Sequence, residues 1–162
     1  MISCISKRVK TLLFELFAAP IIQYKQPYTV IDKHIKPAVD MLNSIDGVET
    51  IASCHGHLFG HIEAPYIYFK APTDTAAYLH KQIWTTTQHK SIYWVIEGRY
   101  NSECELCFSL RSPPCELAYY HFFSRLRLFG YRRLELEQSM LELAQLIKSA
   151  SKTLKQPIGD KY

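Results

Sequence analysis

Cys54, His55, His57 and His61 bring a thiol and three imidazoles into one short segment, flanked by Ser53 and Glu63 and interrupted by Gly56 and Gly60. Reactive polar groups gathered where a strand should end are a common arrangement for function in mixed folds. Three chemistries suit them. His55 and His57 are two residues apart, so extended backbone points both rings to one face. His61 can return across Gly60, with Cys54 or Glu63 as a further ligand. Zinc takes these donors, and an open His-rich set favours catalysis over stapling, although the spacing matches no standard zinc signature.

A nucleophilic Cys54 is the second chemistry. An imidazole beside it would ease loss of the thiol proton, and His57 suits the role better than His55, which follows Cys54 directly and points to the other face. The third is a binding turn, in which Gly56 admits a ligand close to the backbone beside Ser53 and the turn amides hold a phosphate or carboxylate. Against all three stands a structural role, with Cys54 a small buried hydrophobe and the histidines hydrogen-bonding their own loop.

The flanking sequence supplies the elements that must hold this segment. Ile31, Ile35, Ala38, Val39 and Leu42 fall on one helical stripe, with Pro37 kinking that helix or starting its main part. Asp46-Gly47 ends it, and 48–53 and 66–69 read as strands on either side of the Cys/His turn. Thr73 or Asp74 is placed to cap a helix carrying Ala76, Leu79 and Ile83. Segments 91–99 and 104–111 read as an antiparallel hairpin, with a bulge expected at Gly98. Beyond Pro113-Pro114 the pattern is helical, divided near Gly130, with Leu136, Met140, Leu143 and Ile147 forming an apolar stripe. A first helix is expected over 6–18 and a loose tail from 155.

Two other groupings invite a functional reading. Cys104 and Cys107 have the spacing of a redox or zinc pair, but strand alternation sends them to opposite faces, so they read as structural thiols. Arg125, Arg127, Arg132 and Arg133 lie among Tyr119, Tyr120, Phe122, Phe123, Phe129 and Tyr131, the residue types of a nucleic-acid surface. Glu135, Glu137 and Glu142 dilute that positive field, which favours a solvated helix face.

The string LNSIDGVETIASCHGH and the following YIYF resemble small bacterial and phage proteins carrying Ser-Cys-x-Gly-His after a strand. The same stretch, over about residues 35 to 70, is distantly similar to the wybutosine-synthesis methyltransferase family, which carries Ser-Ser-Cys-Ser-Gly-Arg at the matching strand end. Ser53, Cys54 and Gly56 match that motif, whereas Ala52, His55 and His57 depart from it. The resemblance implies S-adenosylmethionine as cofactor and tRNA as substrate.

The 162 residues suit one domain, with 48% hydrophobic and 21% charged residues, values that exclude wholesale disorder. A net charge of +4 permits a nucleic-acid partner without requiring one. Five cysteines, an odd and irregular set, point to free thiols and a cytoplasmic location. Lys7, Arg8 and Lys10 precede an apolar stretch, but Glu15 interrupts it, so a packed helix is expected there and no membrane span. The expectation is an α+β domain with a small antiparallel or mixed sheet, helices on one face and a C-terminal helical layer. It would bind or transform a ligand, a small molecule or RNA, at the Cys54–His61 turn. The alternative is an interaction protein that pairs with a partner or with itself through the C-terminal helices.

Overall fold

A computed structural model describes residues 31–57 and 63–154. The expected first helix, His61 and the tail lie outside them. The described chain is an α+β fold: α1 (Lys36–Asn43), β1 (Glu49–Cys54), β2 (Tyr66–Lys70), α2 (Thr73–Thr87), β3 (Val95–Tyr100), β4 (Leu106–Arg111), α3 (Pro113–Tyr120), α4 (Phe122–Arg125), a π-helical turn (Leu126–Tyr131) and α5 (Arg133–Leu154). The four strands form one antiparallel sheet in the order β1-β2-β4-β3.

Pro37 sits in the first turn of α1, where its missing N–H leaves no bond unmade. It therefore starts the helix and does not kink it. Ile31 falls before that start and is exposed, so the buried stripe begins at Ile35 and continues through Ala38, Val39 and Leu42. The stripe of α5 is buried as expected: Leu136, Met140, Leu143 and Ile147 are at most 1% exposed and join α1, α2 and the inner sheet residues Ile67, Phe69, Phe108 and Leu110 in one core.

Three local expectations change. Neither Thr73 nor Asp74 caps α2; Pro72 occupies that position and no side chain bonds the helix start. The strand expected from 91 begins only at Val95, because the preceding segment is tied to helices. Trp94 is fully buried, its N–H donates to Thr87 Oγ1 at 3.2 Å and its indole Nε1–H to Ser139 Oγ at 2.8 Å. The ladder of β3 with β4 runs unbroken through Gly98 opposite Phe108, so Gly98 makes no bulge.

The irregularity lies in β1 instead. Thr50 pairs with Phe69 and Ala52 with Tyr68, leaving Ile51 unpaired and exposed between them. One extra residue reverses which face each later side chain takes. Ala52 and Cys54 are thereby placed opposite Tyr68 and Tyr66 on the outer face, and Ser53 opposite the core residue Ile67. Without the bulge Cys54 would point into the helical core.

Candidate metal centre

Cys54 ends β1 and the chain then turns at Gly56, whose φ of +83° is a conformation that glycine adopts without a Cβ clash. The turn is pinned at several points. Gly56 N–H donates to Cys54 Sγ at 3.3 Å, and His57 N–H donates to the Glu63 carbonyl at 3.1 Å. From the start of α5, Arg133 Nη1 donates to the Gly56 carbonyl at 2.9 Å, and its Nε to Glu137 Oε1 at 3.2 Å. Arg133 is only 7% exposed, so its charge is held by these partners and turned away from water.

Into this turn reaches Asp32, from the segment leading into α1. Its backbone carbonyl accepts from Ile35 and Lys36, which fixes the approach. Its Oδ2 accepts the His55 backbone N–H at 3.2 Å and lies 2.8 Å from His55 Nδ1 and 3.6 Å from His57 Nε2. The Nδ1 contact is close enough for an ion pair, but the N–H direction misses the oxygen and leaves that buried nitrogen without an aligned hydrogen bond. The two imidazoles meet edge to face with centroids 4.5 Å apart, and His34 stands 5.7 Å from His55 on the far side.

Ligand atoms of Asp32, Cys54 and His57 all lie within 4.8 Å of one another. Around a tetrahedral zinc ion, with bonds of about 2.0–2.3 Å, neighbouring donors are separated by about 3.3–3.8 Å. A contraction on the order of 1 Å would therefore close the set on an ion.

The electrostatics sort the three donors. Burial works against charge on Asp32, but the His55 and His57 imidazoles beside it and the His55 backbone N–H outweigh it and hold the carboxyl well below the usual carboxylate range. Burial pushes the Cys54 thiol up to about 12, with the Asp32 and Glu63 carboxylates adding to the rise. Burial lowers the His55 imidazole, against the pull of Asp32. A thiol so protected is no activated nucleophile at neutral pH. Only a cation close by would reverse its preference, because a coordinating thiol loses its proton to the metal.

Of the metal set expected from sequence, His57 is brought together with Asp32 and Cys54, the further ligand considered there, and His61 lies outside the described residues. His55 is turned onto Asp32 beside the set. Of the ligand-binding pair, Gly56 forms the turn, whereas Ser53 lies on the core-facing side of β1, away from Cys54. Asp32 carried no signal in the sequence, because it lies 22 residues before Cys54 in what read as a helix start. The arginine cluster is divided: Arg133 is buried at the turn, Arg132 pairs with Glu135, Arg125 stands 5.7 Å over the Phe122 ring, and Arg127 is exposed.

On the outer face of the sheet a cleft of about 750 Å³ adjoins this turn. Its floor carries Tyr66, Tyr68, Ser109 and Arg111, and Tyr119 and Tyr120 of α3 lean over it. Glu63 belongs to both places, lining the cleft and standing near enough to Cys54 for its carboxylate to help raise the thiol's pKa. Among the described residues no helix is long and apolar enough to cross a membrane. Comparison with protein-family models, curated proteins and solved structures finds no match.

Proposed function

We propose that the protein binds a transition-metal ion of the zinc type through Asp32, Cys54 and His57 and uses it to bind or transform a ligand. The observation that carries this reading is the convergence of three donors of different chemistry from two distant segments of the chain. A carboxylate, a thiol and an imidazole are all zinc ligands, and three protein ligands leave a fourth position for water or substrate. A metal held in this way lowers the pKa of bound water to about 7. Supporting contacts accompany the donors: His55 on Asp32, and Arg133 on the turn, itself held by Glu137. Partners of this kind fix the ligands of metal sites.

The reading is tested by elemental analysis of protein purified without chelator and without a histidine tag. About one equivalent of zinc is expected, falling by a factor of about 10–100 in apparent affinity for Asp32→Asn and more for Cys54→Ser. Protein that stays metal-free after equilibration with zinc would remove the reading.

A second reading, contact with a partner or a second copy through the C-terminal helices, is favoured by Leu117, Tyr120, Phe122 and Phe123, which are all more than half exposed on α3 and α4. Concentration-dependent sedimentation that disappears in Phe122→Ser/Phe123→Ser would support it, and a monomer at every concentration would exclude self-association.

A further inference from the structure

The outer cleft has a composition that the metal centre does not use. Strand pairing sets Tyr66 beside Arg111 and Tyr68 beside Ser109 on the sheet floor, while Tyr119 and Tyr120 form the opposite wall with rings 5.6 Å apart. The Tyr119 and Tyr120 rings stand edge to face, so a flat ring lodged between floor and wall meets aromatic surface on both sides, and the phenol hydroxyls offer hydrogen bonds at its edges. The volume lies within the range of about 300–1,000 Å³ usual for small-molecule sites.

Charge decides what else the ligand carries. Arg111 is held by Glu97 and Glu116, so its charge is already matched. Arg99 lines the cleft, is exposed and has no carboxylate partner among the described residues. The register places Cys54 and Arg99 at opposite corners of the sheet, separated by three strand spacings and four residues of rise, about 20 Å between Cα atoms. The carboxylates Glu63 and Glu116 also line the cleft. One available cation, with Glu116 matched by Arg111 and Glu63 the remaining carboxylate of the lining, fits a single anionic group at the Arg99 end and disfavours a polyanion.

We infer that this cleft binds a nucleoside monophosphate, with the base between the floor and wall tyrosines and the phosphate on Arg99. A longer strand would bring its further phosphates against Glu63 and find no second unpaired cation in the lining. The assignment names the ligand class for the site proposed above and rests on that reading for its chemistry, though not for binding itself.

The test is calorimetric titration of the full chain, stripped of metal with chelator, against the four common ribonucleoside monophosphates, their parent nucleosides, inorganic phosphate and a short single-stranded RNA. At least one monophosphate is expected to bind with a Kd below about 1 mM. Arg99→Ala should weaken it about tenfold or more while leaving the parent nucleoside unchanged, because only the phosphate is lost from contact. Tyr68→Ala should weaken both, and since Arg99 is exposed, its variant keeps the test decisive if the tyrosine change disturbs folding. Failure of all four to bind, binding indifferent to Arg99→Ala, or an RNA strand binding more tightly than every monophosphate would overturn the inference. Zinc binding by the same preparation is measured separately. Monophosphate binding without zinc binding would therefore remove the metal reading alone, and the reverse result would remove the cleft assignment alone.

Discussion

Cys54 is the residue on which the chemistry of the proposed centre turns. Its thiol must give up a proton to bind a metal, and burial has pushed that proton's pKa up to about 12. Below that value, each unit of pH should therefore raise apparent zinc affinity by about tenfold through this residue alone. Competition titrations between pH 6 and 8 check this, and Cys54→Ser should lower the slope by about one unit. Asp32 has the opposite shift and a consequence for stability. Its carboxyl is depressed in the folded chain relative to an ordinary unfolded value of about 3.9, so the stabilisation is complete above that value and is lost as pH falls below it. Urea unfolding of the metal-free protein should show Asp32→Asn less stable than the parent at pH 7, with the difference shrinking from about pH 4 downward. The Cys/His turn itself was legible because thiol and imidazole are rare together and Gly56 marks a turn. Asp32 was not, because an aspartate before a helix is ordinary and its meeting with His55 exists only in three dimensions.

At the scale of elements, the bulge in β1 and the start of α5 set the centre's geometry. The outward placement of Cys54 depends on the unpaired Ile51, which no alternation in the sequence revealed, because Thr50-Ile51-Ala52 reads equally well as a regular strand. Sequence placed the irregularity at Gly98, the residue type most often found at bulges, but there the partner strand stays in register. Arg133 was read as part of a surface cluster, since nothing local distinguishes it from Arg132; only packing of α5 beside the turn buries it. Arg133→Met should strip the Gly56 carbonyl and Glu137 of their donor, at a cost of about 1–3 kcal/mol in denaturant unfolding. It should also weaken zinc binding, because the turn that carries His57 is no longer held. Gly56→Ala, forced into a positive φ, should cost about 1–3 kcal/mol by the same measurement.

In the molecule as a whole, the helical layer packs the core against one face of the sheet, and the outer face carries an open cleft. The α+β class, the strand on each side of the turn and the α5 stripe were legible, because apolar periods of two and 3.6 residues were clear at those places. The cleft was not, because its lining comes from four strands and α3, joined by pairings that no single segment encodes. Leu136→Ala, a fully buried residue, should cost about 2–5 kcal/mol, while Tyr120→Ala, mostly exposed at the cleft rim, should stay within about 0.5 kcal/mol. The cysteines report the same division. Among the described residues, Cys104 lies in an exposed turn, whereas Cys54, Cys107 and Cys115 are buried. A thiol reagent should therefore label Cys104 in the native protein and the other three only on unfolding, and fast native labelling of Cys107 would contradict its burial.

The most direct test of the metal centre is cobalt substitution followed by absorption spectroscopy. Co²⁺ takes the same donors as zinc and reports both coordination geometry and any bound thiolate. Saturation at about one equivalent is expected, with intense tetrahedral bands in the visible and a sulfur-to-cobalt charge-transfer band in the near ultraviolet. The charge-transfer band should vanish in Cys54→Ser, and affinity should fall in Asp32→Asn and His57→Ala. A spectrum of six-coordinate cobalt without the sulfur band, unchanged by all three substitutions, would contradict the account.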